Sequence, residues 1–177
     1  MSKQIIALVG LSGAGKSSVG RLLAERLGWP LLDTDALIAE AAGRGVPQIF
    51  AEDGEARFRD LEAAALRAAL GRAPAIVATG GGIVLRAENR ALLRERAFCV
   101  WLDAPVAALV ARLRAHDEQR PLLEGDMAAR LAALRAARAA LYAEAADARI
   151  DTEARSAEEV AERVLLAGGI TVVSDLS

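Results

Sequence analysis

The chain contains 177 residues, 54% of them hydrophobic, and carries a formal net charge of −2. Its length and composition predict one globular domain spanning residues 1–177, and its charge gives no general reason to expect a nucleic-acid or anionic-membrane partner. Cys99 is the only cysteine, which excludes an internal disulfide and a cysteine-cluster metal site.

Short apolar runs alternate along the chain with longer segments of helical periodicity. Strands are predicted at residues 4–9, 30–32, 75–78, 98–102 and 148–150. Helices are predicted at residues 17–27, 34–42, 55–70, 87–95, 105–115, 126–146 and 156–167. This alternation predicts an α/β domain with a parallel sheet covered by helices on both faces, but it does not determine the order of the strands. The tail at 168–177 fits a frayed end, an extra edge strand or the start of a linker.

The sequence has no pattern typical of export or of membrane insertion. Its first apolar run is short and ends at Gly10, unlike a secretory signal, and no later run approaches the length of a membrane span. We therefore expect a cytoplasmic protein with no membrane partner. Cys99 lies in the apolar run at 98–102, where we expect it to act as a small buried hydrophobe.

Residues 10–17 read Gly-Leu-Ser-Gly-Ala-Gly-Lys-Ser and match G-x-x-x-x-G-K-[ST], the phosphate-binding P-loop. A predicted strand enters this loop and a predicted helix leaves it, so backbone N–H groups and a helix N-terminus can face phosphates. Lys3 and Lys16 are the only lysines among 22 basic residues. Lys16 stands where a compact ammonium must reach between the β- and γ-phosphates, a task that suits arginine poorly.

Two acids and three glycines lie at the ends of the second and third predicted strands. Asp33 and Asp35 lie on the same sheet edge as the P-loop if the strands are parallel. Asp33 can cap the next helix and Asp35 can complement its dipole, but the pair can also serve Mg²⁺ and a substrate hydroxyl. The run Gly-Gly-Gly at 80–82 is either a flexible turn or a place where the backbone approaches a ligand closely.

Three arginines lie in contexts that leave two interpretations open. Arg59 can form a surface ion pair with Glu55 four residues before it. Arg120 lies in the polar stretch 116–126, which is either ordinary surface or a lid over the phosphates. Arg138 lies on an alanine-rich helix, where a solvated side chain is the simplest reading. The single histidine, His116, is expected at the surface.

Six blocks of sequence together resemble the shikimate kinase family. They are the P-loop, Asp-Thr-Asp at 33–35, Ile-Phe-x-x-x-Gly-Glu-x-x-Phe-Arg-x-x-Glu at 49–62, Thr-Gly-Gly-Gly at 79–82, Arg-Pro-Leu-Leu at 120–123 and Arg-x-x-x-Tyr at 138–142. Their order and spacing agree over about residues 4–167. The P-loop alone indicates only a nucleotide. The Asp-Thr-Asp, Gly-Glu-x-x-Phe-Arg and Arg-Pro-Leu-Leu blocks together are specific to the family.

The resemblance implies a fold similar to that of nucleoside monophosphate kinases, with a five-stranded parallel sheet and a mobile lid at about residues 115–125. It also implies that the γ-phosphoryl group of ATP is transferred to the 3-hydroxyl of shikimate, with Mg²⁺ as the cofactor. We expect a monomer that binds this small substrate and no nucleic acid.

The resemblance further implies a role for individual residues. Those assigned to the nucleotide are Gly13, Ala14, Gly15, Lys16, Ser17, Ser18, Arg120 and Arg155. Those assigned to shikimate are Asp35, Arg59, Gly81 and Arg138. Ser17 is expected to ligate Mg²⁺, and Asp33 to support it through water. Lys16, Asp35 and Arg120 are expected to be catalytic, and either Arg112 or Arg114 to stack on the adenine.

Three other functions fit parts of the sequence. A kinase of another small polyol such as gluconate would keep the P-loop, but it gives no reason for the blocks around Arg59 and Arg138. A non-catalytic ligand-sensing relative would be expected to lose one of the two acids or to carry a DNA-binding module. A P-loop GTPase or motor ATPase is disfavoured, since the sequence shows no evident switch motif or Asn-Lys-x-Asp.

Overall fold

A computed structural model describes residues 3–116 and 124–171 of the chain. Within them, the strands are β1 (Ile5–Val9), β2 (Leu31–Asp33), β3 (Ala75–Ala78), β4 (Phe98–Asp103) and β5 (Ala148–Asp151). The helices are α1 (Lys16–Leu27), α2 (Thr34–Ala42), α3 (Val46–Leu70), α4 (Ala87–Arg96), α5 (Val106–His116), α6 (Glu124–Ala145) and α7 (Ala157–Ala167). The strands form one parallel sheet in the order β2-β3-β1-β4-β5.

The predicted α/β architecture with a five-stranded parallel sheet is confirmed. The central strand β1 is buried along its whole length, and its Ala7 pairs with Val77 of β3 on one side and Cys99 of β4 on the other. Strands buried on both faces read as continuous apolar runs, which is why they were visible in the sequence. Cys99 is fully buried, as predicted.

Helix α3 differs from its prediction, because it begins at Val46 rather than at residue 55. Gly54 has φ 81° and ψ 173°, so the helix breaks there into two segments. The first segment is short, and its apolar positions do not repeat at helical spacing for long enough to be recognised. Its Ile49 is nevertheless fully buried in a small second core with Ile38 and Phe58, which anchors the start of the second segment.

Helix α7 is the last element of the described chain, and hydrogen bonds cap both of its ends. Ser156 is the N-cap of this helix. Its side chain accepts a hydrogen bond from the Glu159 N–H while the Glu159 carboxylate accepts one from the Ser156 N–H, which forms a capping box. Ile170 donates to the Leu165 carbonyl at 2.9 Å. The rest of the predicted tail, residues 172–177, lies outside the described part of the chain. Over the described ranges, no helix has the length and apolar character that crossing a bilayer requires.

The topology brings the candidate residues to one edge of the sheet. The P-loop follows β1, Asp33 is the last residue of β2 with Asp35 just after it, and the glycines at 80–82 follow β3. These three strands are neighbours and run parallel, so their carboxyl ends open on the same space. Ligands of open α/β sheets bind at this edge.

Candidate active site

The P-loop is shaped by glycines that no other residue could replace without strain. Gly10 has φ 146°, and a Cβ there would collide with the Leu102 carbonyl oxygen. Gly15 has φ 95° and forms the N-cap of α1. Both conformations favour glycine. The loop therefore holds its backbone around a space at the N-terminus of α1, as an anion site requires.

Lys16 is held inside this loop. Its Nζ donates to the carbonyl oxygens of Gly10 at 2.6 Å and Leu11 at 2.9 Å. Burial lowers the pKa of Lys16 to about 8, against the opposing attraction of Asp35 and Asp33. Both of these acceptors are neutral carbonyls, and an ammonium can exchange them for phosphate oxygens, which form stronger, charge-assisted hydrogen bonds.

A cavity of about 500 Å³ opens beside the P-loop at the carboxyl edge of the sheet. It is large enough for a small-molecule ligand. The predicted site residues that line it are Gly13, Ala14, Gly15, Lys16, Ser17, Ser18, Asp33, Asp35, Gly81 and Arg155. The structure therefore brings the predicted phosphate loop, both acids and two of the three glycines, Gly80 and Gly81, to a single space.

Asp33 caps α2 and also borders the cavity. Its Oδ1 accepts hydrogen bonds from the backbone N–H groups of Asp35 at 2.8 Å and Ala36 at 3.2 Å. The capping role that the sequence left open is thus present. Both bonds use Oδ1, so Oδ2 remains for a water molecule in the cavity.

Asp35 is a half-buried acid with an unpaired oxygen. Its Oδ1 is buried and has no hydrogen-bond partner among the described residues. Burial, followed by the negative charge of Asp33, raises the pKa of Asp35, while Lys16 and Arg59 oppose the shift. A buried carboxylate oxygen without a donor is costly, so this atom can accept a hydrogen bond from a ligand in the cavity.

The residues at 80–82, here called the glycine loop, are packed between the acids and the arginines. The Gly80 N–H donates to Thr34 Oγ1 at 3.2 Å, and a Cβ on Gly80 would lie 2.9 Å from Asp35 Oδ1. A Cβ on Gly82 would collide with the Arg59 guanidinium. The backbone of the glycine loop therefore lies close to the charged side chains of Asp35 and Arg59. Glycine at 80 and 82 permits this, because a Cβ at either position would meet one of those side chains.

Arg59 forms two ion pairs of different character. Its Nη1 donates to Glu62 at 2.8 Å, and its Nη2 lies 3.3 Å from Glu55. Glu55 is exposed, so that pair matches the surface interaction considered from the sequence. Glu62 is only 1% exposed, and it fixes the arginine against the glycine loop.

Glu62 is a site residue to which the sequence analysis assigned no role. Its Oε1 is buried without a hydrogen-bond partner in the described structure, and it would lie 3.3 Å from a Cβ on Gly80. Burial raises the pKa of Glu62, while its hydrogen bond from Arg59 opposes the shift. Its position three residues after Arg59 placed it on the same helix face, and this spacing was the available signal.

Arg138 is half-buried on α6 beside the glycine loop, and is not a fully solvated helix arginine. A Cβ on Gly81 would lie 3.4 Å from Arg138 Nη1 and 3.7 Å from the Tyr142 hydroxyl. That hydroxyl donates to the Gly81 carbonyl oxygen at 2.5 Å. Arg59 and Arg138 thus reach the same three-residue loop from two different helices.

On the nucleotide side, two arginines border the cavity. Arg155 donates to the Asp151 carbonyl oxygen at 2.6 Å. Arg112 donates to the Gly13 carbonyl oxygen at 3.2 Å and to both oxygens of Thr152, and so joins the P-loop to the end of β5. Of the two arginines considered for the adenine, Arg112 is the one that lines the cavity.

Two predictions near the end of α5 have different outcomes. His116 is exposed, as predicted, and lies at the rim of the cavity with its Nδ1 2.9 Å from the Arg112 carbonyl oxygen. Arg120 and most of the predicted lid at 115–125 lie outside the residues that the structure describes.

Comparison with known proteins gives one consistent result. A family model described as shikimate kinase matches residues 12–167. The shikimate kinase of Symbiobacterium thermophilum is 50% identical over 162 residues, which cover 90% of this chain and 93% of that protein. A solved structure described as shikimate kinase from Acinetobacter baumannii in complex with shikimate is 39% identical, with a TM-score of 0.83 and coverage of 91% of this chain and 90% of that one. A gluconokinase from Sinorhizobium meliloti shares the fold, with a TM-score of 0.58 at 20% identity and coverage of 95% and 93%.

Proposed function

The chain belongs to the shikimate kinase family, and we propose that it transfers the γ-phosphoryl group of ATP to the 3-hydroxyl of shikimate. The product is shikimate 3-phosphate, an intermediate of aromatic amino-acid biosynthesis. The observation that carries the proposal is Asp35, whose unpaired buried oxygen lies between the glycine loop and the P-loop lysine. An acceptor in this position can hold a hydroxyl next to a bound γ-phosphate.

The substrate side of the site matches the chemistry of shikimate. Shikimate is small and carries one carboxylate and three hydroxyls. Arg59 and Arg138 offer forked guanidinium donors that suit the carboxylate, and Asp35 offers an acceptor for a hydroxyl. We assign the backbone of Gly81, which lies between these groups, to the same substrate.

The nucleotide side matches the needs of phosphoryl transfer, which are positioning and neutralisation of charge. We assign residues 13–18 to the ATP phosphates and Lys16 to the β- and γ-phosphates. Arg155 is assigned to the adenine end of the cavity, together with Arg112 in preference to Arg114.

The residues present fit a magnesium ion that is held mainly by the substrate. In the described residues, no group of three or more histidine, cysteine, aspartate or glutamate side chains is arranged to hold a metal. Mg²⁺ is typically bound by one or two protein ligands together with phosphates and several waters. Ser17 would be the direct ligand, and Asp33 Oδ2 would hold one of the waters. When bound, the ion would neutralise charge on the β- and γ-phosphates.

We extend the proposal to the setting of the enzyme. We propose that it acts as a single-domain monomer in the cytoplasm. Sedimentation analysis and fractionation of cells would test these two assignments.

A coupled ADP-release assay with shikimate and gluconate as alternative acceptors tests the proposed function. Much faster turnover with shikimate than with gluconate is expected. Gluconate also carries a carboxylate, but on a flexible open chain that does not fix its hydroxyls at the spacing of the shikimate ring. Preference for gluconate would replace the proposal by the polyol kinase. Turnover with neither acceptor would favour a ligand-sensing protein.

Replacement of Arg59 or Arg138 by alanine is expected to weaken shikimate binding by roughly 2–5 kcal/mol, because each change leaves a substrate group unpaired in a half-buried site. ATP binding is expected to stay nearly unchanged. Isothermal titration with each ligand measures both effects. Arg59→Ala should also lower the melting temperature, because it leaves the buried Glu62 carboxylate without its partner.

Arg26→Ala is the matched control for these two variants. Arg26 lies 3.7 Å from Glu162 in an ion pair on the surface, away from the cavity. An exposed pair contributes only about 0–1 kcal/mol to stability. If Arg59→Ala bound shikimate as tightly as the Arg26 control, Arg59 would serve only its ion pairs with Glu55 and Glu62 and not the substrate.

Arg120→Ala is expected to lower kcat more than it weakens shikimate binding, since a contact with the transferring phosphoryl group strengthens as charge shifts during the reaction. Steady-state kinetics with both substrates measures the split. Hydrogen exchange across 115–125 is expected to slow when nucleotide and shikimate are both bound. A wild-type kcat in this variant would remove Arg120 from the mechanism, and equal exchange with and without ligands would argue against a lid.

A further inference from the structure

Tyr142 is the only tyrosine of the chain, and its hydroxyl ends in the substrate half of the site. The residue lies on α6, four positions after Arg138, and is 1% exposed. Its hydroxyl donates to the Gly81 carbonyl oxygen at 2.5 Å. This bond joins α6 to the glycine loop, two parts of the chain separated by sixty-one positions.

The ring of Tyr142 is fixed from behind by the core. It stacks on Trp101 of β4, with ring centroids 5.6 Å apart and planes at 28°. Trp101 is itself buried. The stacking holds the Tyr142 hydroxyl in a defined position relative to the sheet. Its hydrogen bond therefore restricts the position of the Gly81 carbonyl group.

The same hydroxyl lies beside Arg138. Both groups surround Gly81, where an added Cβ would lie 3.4 Å from Arg138 Nη1 and 3.7 Å from the Tyr142 oxygen. Burial raises the pKa of Tyr142 to about 12, against the opposing charge of Arg138. The hydroxyl thus remains protonated, and remains a donor, at any pH at which the enzyme would work.

We propose that Tyr142 is a positioning residue for shikimate, whose hydroxyl sets the glycine loop and Arg138 at the spacing that the substrate requires. The inference rests on the proposed function. Without the hydroxyl, the Gly81 carbonyl loses its donor and the loop can move relative to Arg138. Binding would then have to order both groups, and that ordering reduces affinity.

The direct test is Tyr142→Phe, which keeps the ring and removes the hydroxyl. Shikimate Kd, measured by isothermal titration, is expected to rise about tenfold, a free-energy change of about 1.4 kcal/mol. The KM for ATP is expected to stay within about twofold of wild type, because the bond lies on the substrate side. In the Arg138→Ala background, the same change is expected to add little, since the two residues act through one arrangement.

Val164→Ala is the control for a loss of stability alone. Val164 is fully buried on α7 and does not line the cavity, so this change should lower the melting temperature and leave shikimate Kd unaltered. If Tyr142→Phe behaved like this control, or weakened ATP and shikimate binding equally, its role would be structural and the inference wrong. If the wild-type protein itself did not bind shikimate, the proposed function would fail first.

The single tyrosine also allows a test that needs no substitution. Biosynthetic replacement of tyrosine by 3-fluorotyrosine retains the hydroxyl and gives one ¹⁹F signal, from residue 142. That signal is expected to move when shikimate is added and to stay in place when ATP is added alone. A signal that ignores saturating shikimate would overturn the inference even if Tyr142→Phe failed to fold.

Discussion

Replacing Lys16 with methionine is expected to lower kcat by about 10²–10³-fold or more, the cost of removing one fixed charge-stabilising donor from a transition state. Among the described residues, the Lys16 ammonium donates to the carbonyl oxygens of Gly10 and Leu11. Methionine retains the length of the aliphatic stem but has no charge to offer the phosphates. Turnover at saturating ATP, Mg²⁺ and shikimate measures the loss.

Lys3→Met is the matched control, since Lys3 is the only other lysine. Its Nζ donates to the Arg94 carbonyl oxygen and to Asp147, far from the P-loop, so turnover should be unchanged. Circular dichroism and shikimate binding should show that Lys16→Met remains folded. Near wild-type turnover in the folded Lys16→Met variant would contradict the P-loop assignment.

The pKa of Lys16 gives a second measurement on the same residue. Because that pKa is lowered to about 8, the ammonium is charged below pH 8 and loses its proton as the pH rises through that value. ATP binding by the wild type is therefore expected to weaken above about pH 8. Lys16→Met has no such group, so this alkaline limb should be missing from its binding profile.

The geometry of the P-loop was predictable because the motif has a fixed spacing. The backbone of one short loop supplies its donors, so the positions of Gly10, Gly15 and Lys16 in the sequence define their positions in space. The resting contacts of Lys16 were not predictable. They depend on which carbonyl oxygens the folded loop turns inward.

The substrate half was predictable only in part, because it is assembled from elements that are distant in sequence. The family resemblance named Arg59 and Arg138, but the partner that holds Arg59, Glu62, became visible only when the buried environment of its carboxylate was known. Helical spacing placed Glu62 near Arg59 without indicating that it is buried. Tyr142 and Gly81 lie sixty-one positions apart and meet only because the fold places α6 beside the loop that follows β3.

For the fold as well, features set by local sequence were predicted and features set by tertiary packing were not. The strands were predicted to within one residue, because burial on both faces produces continuous apolar runs. The order of the strands in the sheet was not predictable, since it depends on tertiary packing of the helices that connect them. The first segment of α3 was missed because the break at Gly54 leaves a short helix that is stabilised by Ile49 in a tertiary core.

Replacing Asp35 with asparagine is expected to lower kcat by about 10²–10⁴-fold, the usual contribution of a positioned general base. The asparagine amide can still orient the substrate hydroxyl, but it accepts a proton poorly. Shikimate KM should change much less than kcat. Asp60→Asn is the matched control, since Asp60 is an exposed partner of Arg86 and the same chemical change there should leave turnover intact.

The pH profile separates a base from a residue that only binds. Since burial and Asp33 raise the pKa of Asp35, the carboxyl group stays protonated to a higher pH than an ordinary aspartate. Activity of the wild type should therefore fall as the pH decreases through this raised pKa, because only the ionised form can accept the hydroxyl proton. The residual activity of Asp35→Asn should lack that acidic limb.

If the substitution instead raised KM more than it lowered kcat, and the acidic limb persisted, Asp35 would bind the hydroxyl without acting as its base. Transfer would then depend on positioning and charge neutralisation alone, which a loose phosphoryl-transfer transition state allows.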